Sequence, residues 1–301
     1  MNIDSLVLIA GCLALGWLVA RFGTPAPALA KSLNWWVLNV ALPALVLELI
    51  PRVQLDRHLW FLPASMWLVF FGGWAIAVLL GRWLGWTRAR IGAVTLCAGL
   101  GNTALVGFPL IEALRGKDGL ALAAFADQLG CSIALAVGGI TVAAVYSGGK
   151  PEARVIARRV LLFPAFIALV VGFVVNLAGG WSPALESLVG RVGATLTPVA
   201  LFSIGLQFAL HLDRSRLGAA VLALGWKLAL APLVIYFLGV AVGAGGLVLT
   251  VSTLEAAMAP MVSTVILASE YRLDHEVATT ALGAGLILSL ISVPWLGHLL
   301  P

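Results

Sequence analysis

Two stretches of the chain combine side chains that could do chemistry with residues that break helices. The first, Gly99-Leu100-Gly101-Asn102-Thr103-Ala104-Leu105-Val106-Gly107-Phe108-Pro109, puts three glycines, a proline and two hydrogen-bonding side chains near the middle of an apolar run. The second, Ser252 to Thr264, pairs Pro260 with Glu255, a carboxylate several turns from either end of its run. Proline removes a backbone donor and obstructs the preceding turn, and glycine lowers the penalty for unwinding. Both helices are therefore expected to break, around Asn102 to Pro109 and Glu255 to Pro260. Crossed half-helices aim partly positive N-termini at an anion and bare carbonyls at a cation. Candidate substrate-binding residues are Asn102, Thr103, Gly107, Pro109, Pro260 and Met261, with Asn39 and Lys227 from other runs.

Candidate cation ligands are Glu255, Asp127, Gln128, Asn102, Thr103, Ser132 and Thr253, whose hard oxygens suit an alkali ion such as sodium or could form a proton relay. An ionisable group in hydrocarbon costs several kcal/mol unless it pairs or faces water, so each is a functional candidate. Lys227, about ten residues into its run, could reach an acid or an anionic substrate, or snorkel outward. Asn34, Glu48 and Gln207 are further polar positions, either interfacial or substrate-facing. No metal site beyond a possible sodium is expected, and no cofactor. Cys12, Cys97 and Cys131 have no metal or disulfide spacing and read as small apolar packers. His58, His211, His275 and His298 fall in loops or at run ends, and no His-Glu-x-x-His motif occurs, so the chain is not read as an enzyme.

The elements that carry these residues must cross a bilayer. The chain is 61% hydrophobic and 10% charged, with mean hydropathy +1.07, more apolar surface than a water-soluble fold could hide. Apolar runs of about 20 residues follow one another closely. They predict ten spans, at 5–20, 33–50, 59–81, 89–114, 119–146, 160–178, 184–210, 217–241, 245–269 and 277–297, hence an all-α integral membrane protein. The first run is kept as a span and not a signal peptide, because Met1 to Ser5 carries Asp4 and no cation. Trp35, Trp36, Trp60, Trp83, Trp86, Trp181 and Trp295 lie near span ends, where indoles anchor helices.

The net charge of +5 does not point to nucleic acid, since its distribution between loops is what informs. Alternate loops hold twelve cations, Arg21, Lys31, Arg82, Arg88, Arg90, Lys150, Arg154, Arg158, Arg159, Arg214, Arg216 and Arg272, against five, Arg52, Arg57, Arg115, Lys117 and Arg191. The richer set belongs in the cytoplasm, which places both termini on the outer, periplasmic side of a bacterial inner membrane.

The longest polar connection, Ser147 to Arg159, divides the chain into a first repeat (1–146), a cytoplasmic linker (147–159) and a second repeat (160–301). Five spans per half force the second half in from the opposite face, so the repeat is inverted. Gly16 and Pro27-Ala28-Leu29 echo Gly172 and Pro183-Ala184-Leu185, and Pro43 echoes Pro198. The strongest match is between Pro109 and Pro260.

Four stretches resemble the auxin efflux carrier family: Leu38-Asn39-Val40-Ala41-Leu42-Pro43-Ala44-Leu45, Gly101-Asn102-Thr103 through Gly107-Phe108-Pro109-Leu110, Pro198-Val199-Ala200-Leu201-Phe202-Ser203-Ile204-Gly205-Leu206, and Leu254-Glu255-Ala256-Ala257-Met258-Ala259-Pro260. The resemblance implies a five-plus-five inverted repeat related to bile acid:sodium symporters. It implies a scaffold from 1–55 and 160–212, often a homodimer interface, and a transport domain from 56–146 and 213–301 that moves like an elevator. By similarity, Asn102 is the fourth-span crossover asparagine and Glu255 resembles the ninth-span acid that helps bind sodium. The implied function is secondary transport of small organic anions, carboxylates, coupled to sodium or protons. A channel or sensor of the same fold, or an indole-acid carrier, are the alternatives.

Overall fold

The computed structural model describes residues 3–26, 28–53, 57–207 and 215–300, with side chains in the first helix from Val7 onward. Pro27, His211, Arg214 and the Asp4 side chain lie outside the described residues, as do the domain boundaries expected near 55 and 212. Every regular element described is helical: α1 (Ile3–Phe22), α2 (Leu29–Arg52), α3 (Phe61–Trp83), α4 (Arg88–Gly99), α5 (Thr103–Tyr146), α6 (Ala153–Leu161), α7 (Pro164–Leu177), α8 (Pro183–Gln207), α9 (Leu217–Ala241), α10 (Gly246–Ala256), α11 (Val262–Glu270) and α12 (His275–Leu299).

Among the described residues, α2, α3, α5, α8, α9 and α12 are each long and apolar enough to cross a bilayer, and α6 with α7 makes a seventh if the bent pair is one span. The sequence counts ten, and the difference has local causes. The described apolar part of α1, Val7–Phe22, is shorter than a full crossing; run 89–114 is cut at Leu100–Asn102, its second piece joining α5, and run 245–269 is cut into the short helices α10 and α11. Run 119–146 is continuous with the preceding piece in α5, with a kink at Gly116, whose φ of 65° and ψ of −164° are non-helical. Large apolar side chains face outward along these helices, among them Leu79, Phe237 and Ile291, each about two-thirds exposed. Apolar surface on this scale suits contact with lipid.

Five π turns interrupt the helices: Val37–Ala41, Thr103–Gly107, Asp127–Cys131, Ala134–Gly139 and Trp226–Leu230. Three of them end two residues before a proline: Pro43, Pro109 and Pro232. A proline cannot donate to the carbonyl four residues back and its ring presses on that turn, so the turn widens. The other two contain Gly130 and the Gly138-Gly139 pair, where the backbone yields readily.

The chain forms two compact units. The first comprises Met1–Asp56, Ala104–Gln128 and Leu161–Ala209; the second comprises Arg57–Thr103, Leu129–Val160 and Leu210–Pro301. In the first, α1 lies directly on α8. A Cβ at Gly16 would strike the Phe202 carbonyl, and one at Gly205 would strike the Leu13 carbonyl. Small residues let membrane helices approach this closely. Likewise Gly193 admits Leu45 and Gly172 admits Ile50. The Trp181 indole donates to the Leu47 carbonyl (2.8 Å), Asn176 donates to the Pro51 carbonyl (2.7 Å), and Ser203 donates to Asn34 Oδ1 (2.7 Å).

In the second unit α3 packs on α4, with Gly73 against Ala98 and Gly99 against Phe70. Trp226 lies over Gly72 and donates to the Val69 carbonyl at 3.1 Å. At one end Asp274 caps α12, accepting from the Val277 amide, and pairs with Arg90 (2.9 Å) and Arg216 (3.4 Å).

Candidate functional site

Both expected breaks are present, and both lie in the second unit. Helix α4 ends at Gly99 and Leu100 turns to extended backbone (φ −112°, ψ 115°). Helix α10 ends at Ala256, and the chain stays non-helical until α11 begins at Val262. The two extended segments meet. The Asn102 amide donates to the Ala259 carbonyl at 2.7 Å, and the Met261 amide donates to the Leu100 carbonyl at 3.1 Å. Gly101 and Pro260 thus form an isolated antiparallel bridge. Each break supplies donors or acceptors that the other lacks, which is how irregular backbone persists away from water.

The first break lies N-terminal of its expected place. It occupies Leu100 to Asn102, whereas Gly107 and Pro109 sit within α5, in a π turn and in the helix just after it. Pro109 widens a turn without ending the helix, because the π turn at Thr103–Gly107 accommodates its ring and the missing donor. Pro260 is at its break, with its ring against Gly285.

Around the bridge the second unit gathers Asn102, Thr103, Lys227, Thr253, Glu255 and Met261, all buried except the half-buried Met261. Glu255 is in the last turn of α10, where the helix already carries partial negative charge, so its ionised form needs a nearby cation. Lys227, fully buried on the Trp226–Leu230 π turn, interacts electrostatically with Glu255 and with Cys131. Its Nζ lies 2.8 Å from the point where a Cβ on residue 101 would be, so glycine there makes room for the ammonium. Cys131 Sγ donates to the Gly101 carbonyl at 3.3 Å. The Thr253 hydroxyl donates to the Leu249 carbonyl within its own helix (2.8 Å). Ser132, half-buried, follows the Asp127–Cys131 π turn in the same unit.

Asn39, Gly107, Pro109, Asp127 and Gln128 belong to the first unit. Asn39 is on the Val37–Ala41 π turn and donates to the Trp35 carbonyl at 2.9 Å. Asp127 and Gln128 are buried on another π turn; Gln128 Nε2 donates to Asp127 Oδ2 at 2.6 Å, and Gln128 Oε1 meets no hydrogen-bond donor. Pro109 lines a cavity of about 270 Å³ that also takes in Glu48, Glu112, Lys117 and Thr197. Gln207 donates to the Ser203 carbonyl and Asn34 accepts from Ser203.

The sequence did not single out Cys131 as a partner of the Gly101 carbonyl, nor Glu112 and Lys117 as cavity residues. Their signal was weak: a cysteine in an apolar run looks like a packer, Glu112 falls at the end of the run 89–114, and Lys117 falls in the short connection after it. Among the described residues no cluster of three or more His, Cys, Asp or Glu side chains could hold a metal ion.

The model of a family described as membrane transport protein matches residues 3–296. An uncharacterized transporter of Methanothermobacter thermautotrophicus is 27% identical over 93% of this chain and 92% of its own length. The uncharacterized transporter YfdV of Escherichia coli is 24% identical over 97% of this chain and 95% of its own. A probable auxin efflux carrier component 5a of rice is 31% identical over 47% of this chain and 40% of its own.

Proposed function

The chain belongs to the membrane transport protein family, that of the auxin efflux carriers, and from that premise we propose that it is a secondary carrier of small organic anions, carboxylates, driven by sodium or protons. It is a multi-pass membrane transporter. The finer reading adds ten spans in a five-plus-five inverted repeat, set in a bacterial inner membrane with both termini periplasmic. A scaffold from 1–55 and 160–212 forms the homodimer, and a transport domain from 56–146 and 213–301 moves as an elevator.

One observation carries this reading: two broken helices joined through the Gly101–Pro260 bridge, with Lys227 and Glu255 buried beside it. Helices α5 and α11 begin there and present partial positive charge to an anion; α4 and α10 end there, and with Glu255 they present negative charge to a cation. The geometry suits a site that recognises both at once. Lys227 already supplies one tethered cation, so a proton exchanged at the Lys227–Glu255 pair is one coupling device. The Gln128 Oε1 oxygen beside Asp127 favours the other, a sodium ion, which oxygen ligands hold well.

Purified protein in liposomes tests the proposal. Saturable counterflow of a labelled carboxylate is the expected result; flux without saturation would make it a channel, and binding without flux a sensor. Competition by indole acetate tests the indole-acid alternative. Repeating the assay with and without sodium across pH, in wild type and Glu255→Gln, assigns the coupling. A variant with unchanged cation dependence removes Glu255 from that role.

A further inference from the structure

The cavity of the first unit lies apart in sequence from the bridge residues and has its own chemistry. Its polar wall consists of Glu48, Glu112, Lys117 and the Thr197 hydroxyl, on apolar surroundings that include Pro109. Two carboxylates therefore face one ammonium, but the two acids are not equivalent. Glu48 is buried and strongly engaged: Lys117 Nζ lies 2.9 Å from its Oε1, and Arg52 stands 3.8 Å from the same oxygen. Gly190 keeps the wall low beside the Glu48 carboxylate, which lies 3.1 Å from the point where a Cβ would sit. Glu112 is only half-buried and accepts one long hydrogen bond, from Thr197 Oγ1 at 3.5 Å.

Lys117 is paired with Glu48 and acts on Glu112 through space, but it is not enclosed. Its side chain is 62% exposed and follows directly on the break at Gly116. Were a ligand to draw Lys117 away, Glu48 would not be left as a bare buried charge, because Arg52 is close enough to take it over. Arg52 is itself anchored by Glu186 at 2.7 Å. The ammonium is thus exchangeable at small cost, whereas a buried carboxylate with no standby cation would resist the exchange. Glu112, by contrast, offers acceptor capacity and a negative charge that nothing in the cavity fully neutralises.

We infer that this cavity selects the substrate: Lys117 takes the carboxylate of a small monocarboxylic acid, and Glu112 with Thr197 takes a hydrogen-bond donor, hydroxyl or ammonium, carried on a neighbouring carbon. The inference rests on the carboxylate-carrier reading and narrows it. A plain monocarboxylate leaves Glu112 without its donor. A dicarboxylate brings a second negative charge against Glu112 and is disfavoured, as like charges are. The cavity's volume of about 270 Å³ accommodates a small monocarboxylic acid of this kind.

The test is titration of the purified full-length chain with four probes: propionate, lactate, alanine and malonate. Lactate, alanine or both should bind about tenfold more tightly than propionate and malonate, the value of one hydrogen bond to a charged group. Which of the two wins tells hydroxyl from ammonium. In Glu112→Gln the advantage over malonate should collapse. Lys117→Gln should lose all four, Lys117→Arg should keep them, and elution as a single symmetric peak shows that each variant is folded. Equal binding of propionate or malonate in wild type, or an unchanged ranking in Glu112→Gln, overturns the inference while the carrier reading stands. Failure of all four probes in wild type overturns the inference, and loss of carboxylate counterflow in liposomes as well overturns the carrier reading.

Discussion

The Lys227 ammonium occupies the space above Gly101 that any other residue's β-carbon would need, 2.8 Å from Nζ and 3.0 Å from Cε. Gly101→Ala must therefore displace the lysine or bend the bridge. The obstructing atoms are the end of a flexible side chain, so the cost lies at the low end of the about 1–3 kcal/mol that overpacking carries. The expected result is a folded, slightly less stable protein whose counterflow falls at least about tenfold, because binding geometry in a carrier is intolerant of a displaced charge. Thermal unfolding in detergent, paired with flux in liposomes, checks both halves of that expectation. Normal flux would mean that the position of Lys227 is immaterial.

Pro232→Ala restores an amide two residues beyond the Trp226–Leu230 π turn. With a donor available, the turn should tighten towards regular α-helix, and Lys227 should rotate away from Gly101. Removing a proline from a helix interior is stabilising or neutral where the backbone can close. Unfolding temperature should thus hold or rise while transport falls. A parallel loss of both would point to packing alone.

Gly11 and Gly16 share α1 but not surroundings. A Cβ at Gly11 meets nothing within 4 Å, whereas at Gly16 it collides with main-chain atoms of α8. Gly11→Ala should stabilise by about 0.5–1 kcal/mol through helix propensity. Gly16→Ala should destabilise by about 1–3 kcal/mol, since backbone cannot step aside as a side chain can. Comparing the two unfolding transitions reads the difference directly.

Asp274 caps α12 and pairs with two arginines, all partly shielded from water. Asp274→Ala should cost about 1–2 kcal/mol, mostly the cap, with a smaller share from ion pairs that remain partly hydrated. Asp274→Asn keeps the capping oxygen and should recover most of the loss. Salt should narrow the gap between wild type and Asn but leave the Ala variant unaffected.

Much of this arrangement was legible in the residues, for identifiable reasons. Proline and glycine alter the backbone through their own covalent structure, so breaks near Asn102 and Pro260 could be read directly, as could the burial of Glu255 in an apolar run. The displacement of the first break from Pro109 to Leu100–Asn102 could not, because it depends on the second segment, whose Ala259 carbonyl accepts from the Asn102 amide and whose Met261 amide donates to the Leu100 carbonyl. Lys227 was visible as an ionisable residue in hydrocarbon, but its fit over Gly101 depends on a π turn. That turn had a sequence sign in Pro232, as the turns before Pro43 and Pro109 had theirs. Lys117 read as a loop charge and Glu112 as the end of a span, because Gly116, a turn residue, hides that α5 continues beyond it. The cavity they line draws on four helices far apart in sequence, and no local pattern announces it.

The bridge between Asn102 and Ala259 also bears on how the protein is made. As the chain emerges from the ribosome, Leu100 to Asn102 reach the membrane long before Ala259 to Met261 have been synthesised. Until then, the Asn102 amide and the Leu100 carbonyl have no main-chain partner, in a setting where an unmet polar group costs several kcal/mol. The first half must therefore wait unfinished, with its break hydrated or held by other contacts, and completion of the second half is the event that closes it. Truncation anywhere before Met261 should leave a product that quality-control proteases recognise, however apolar its helices.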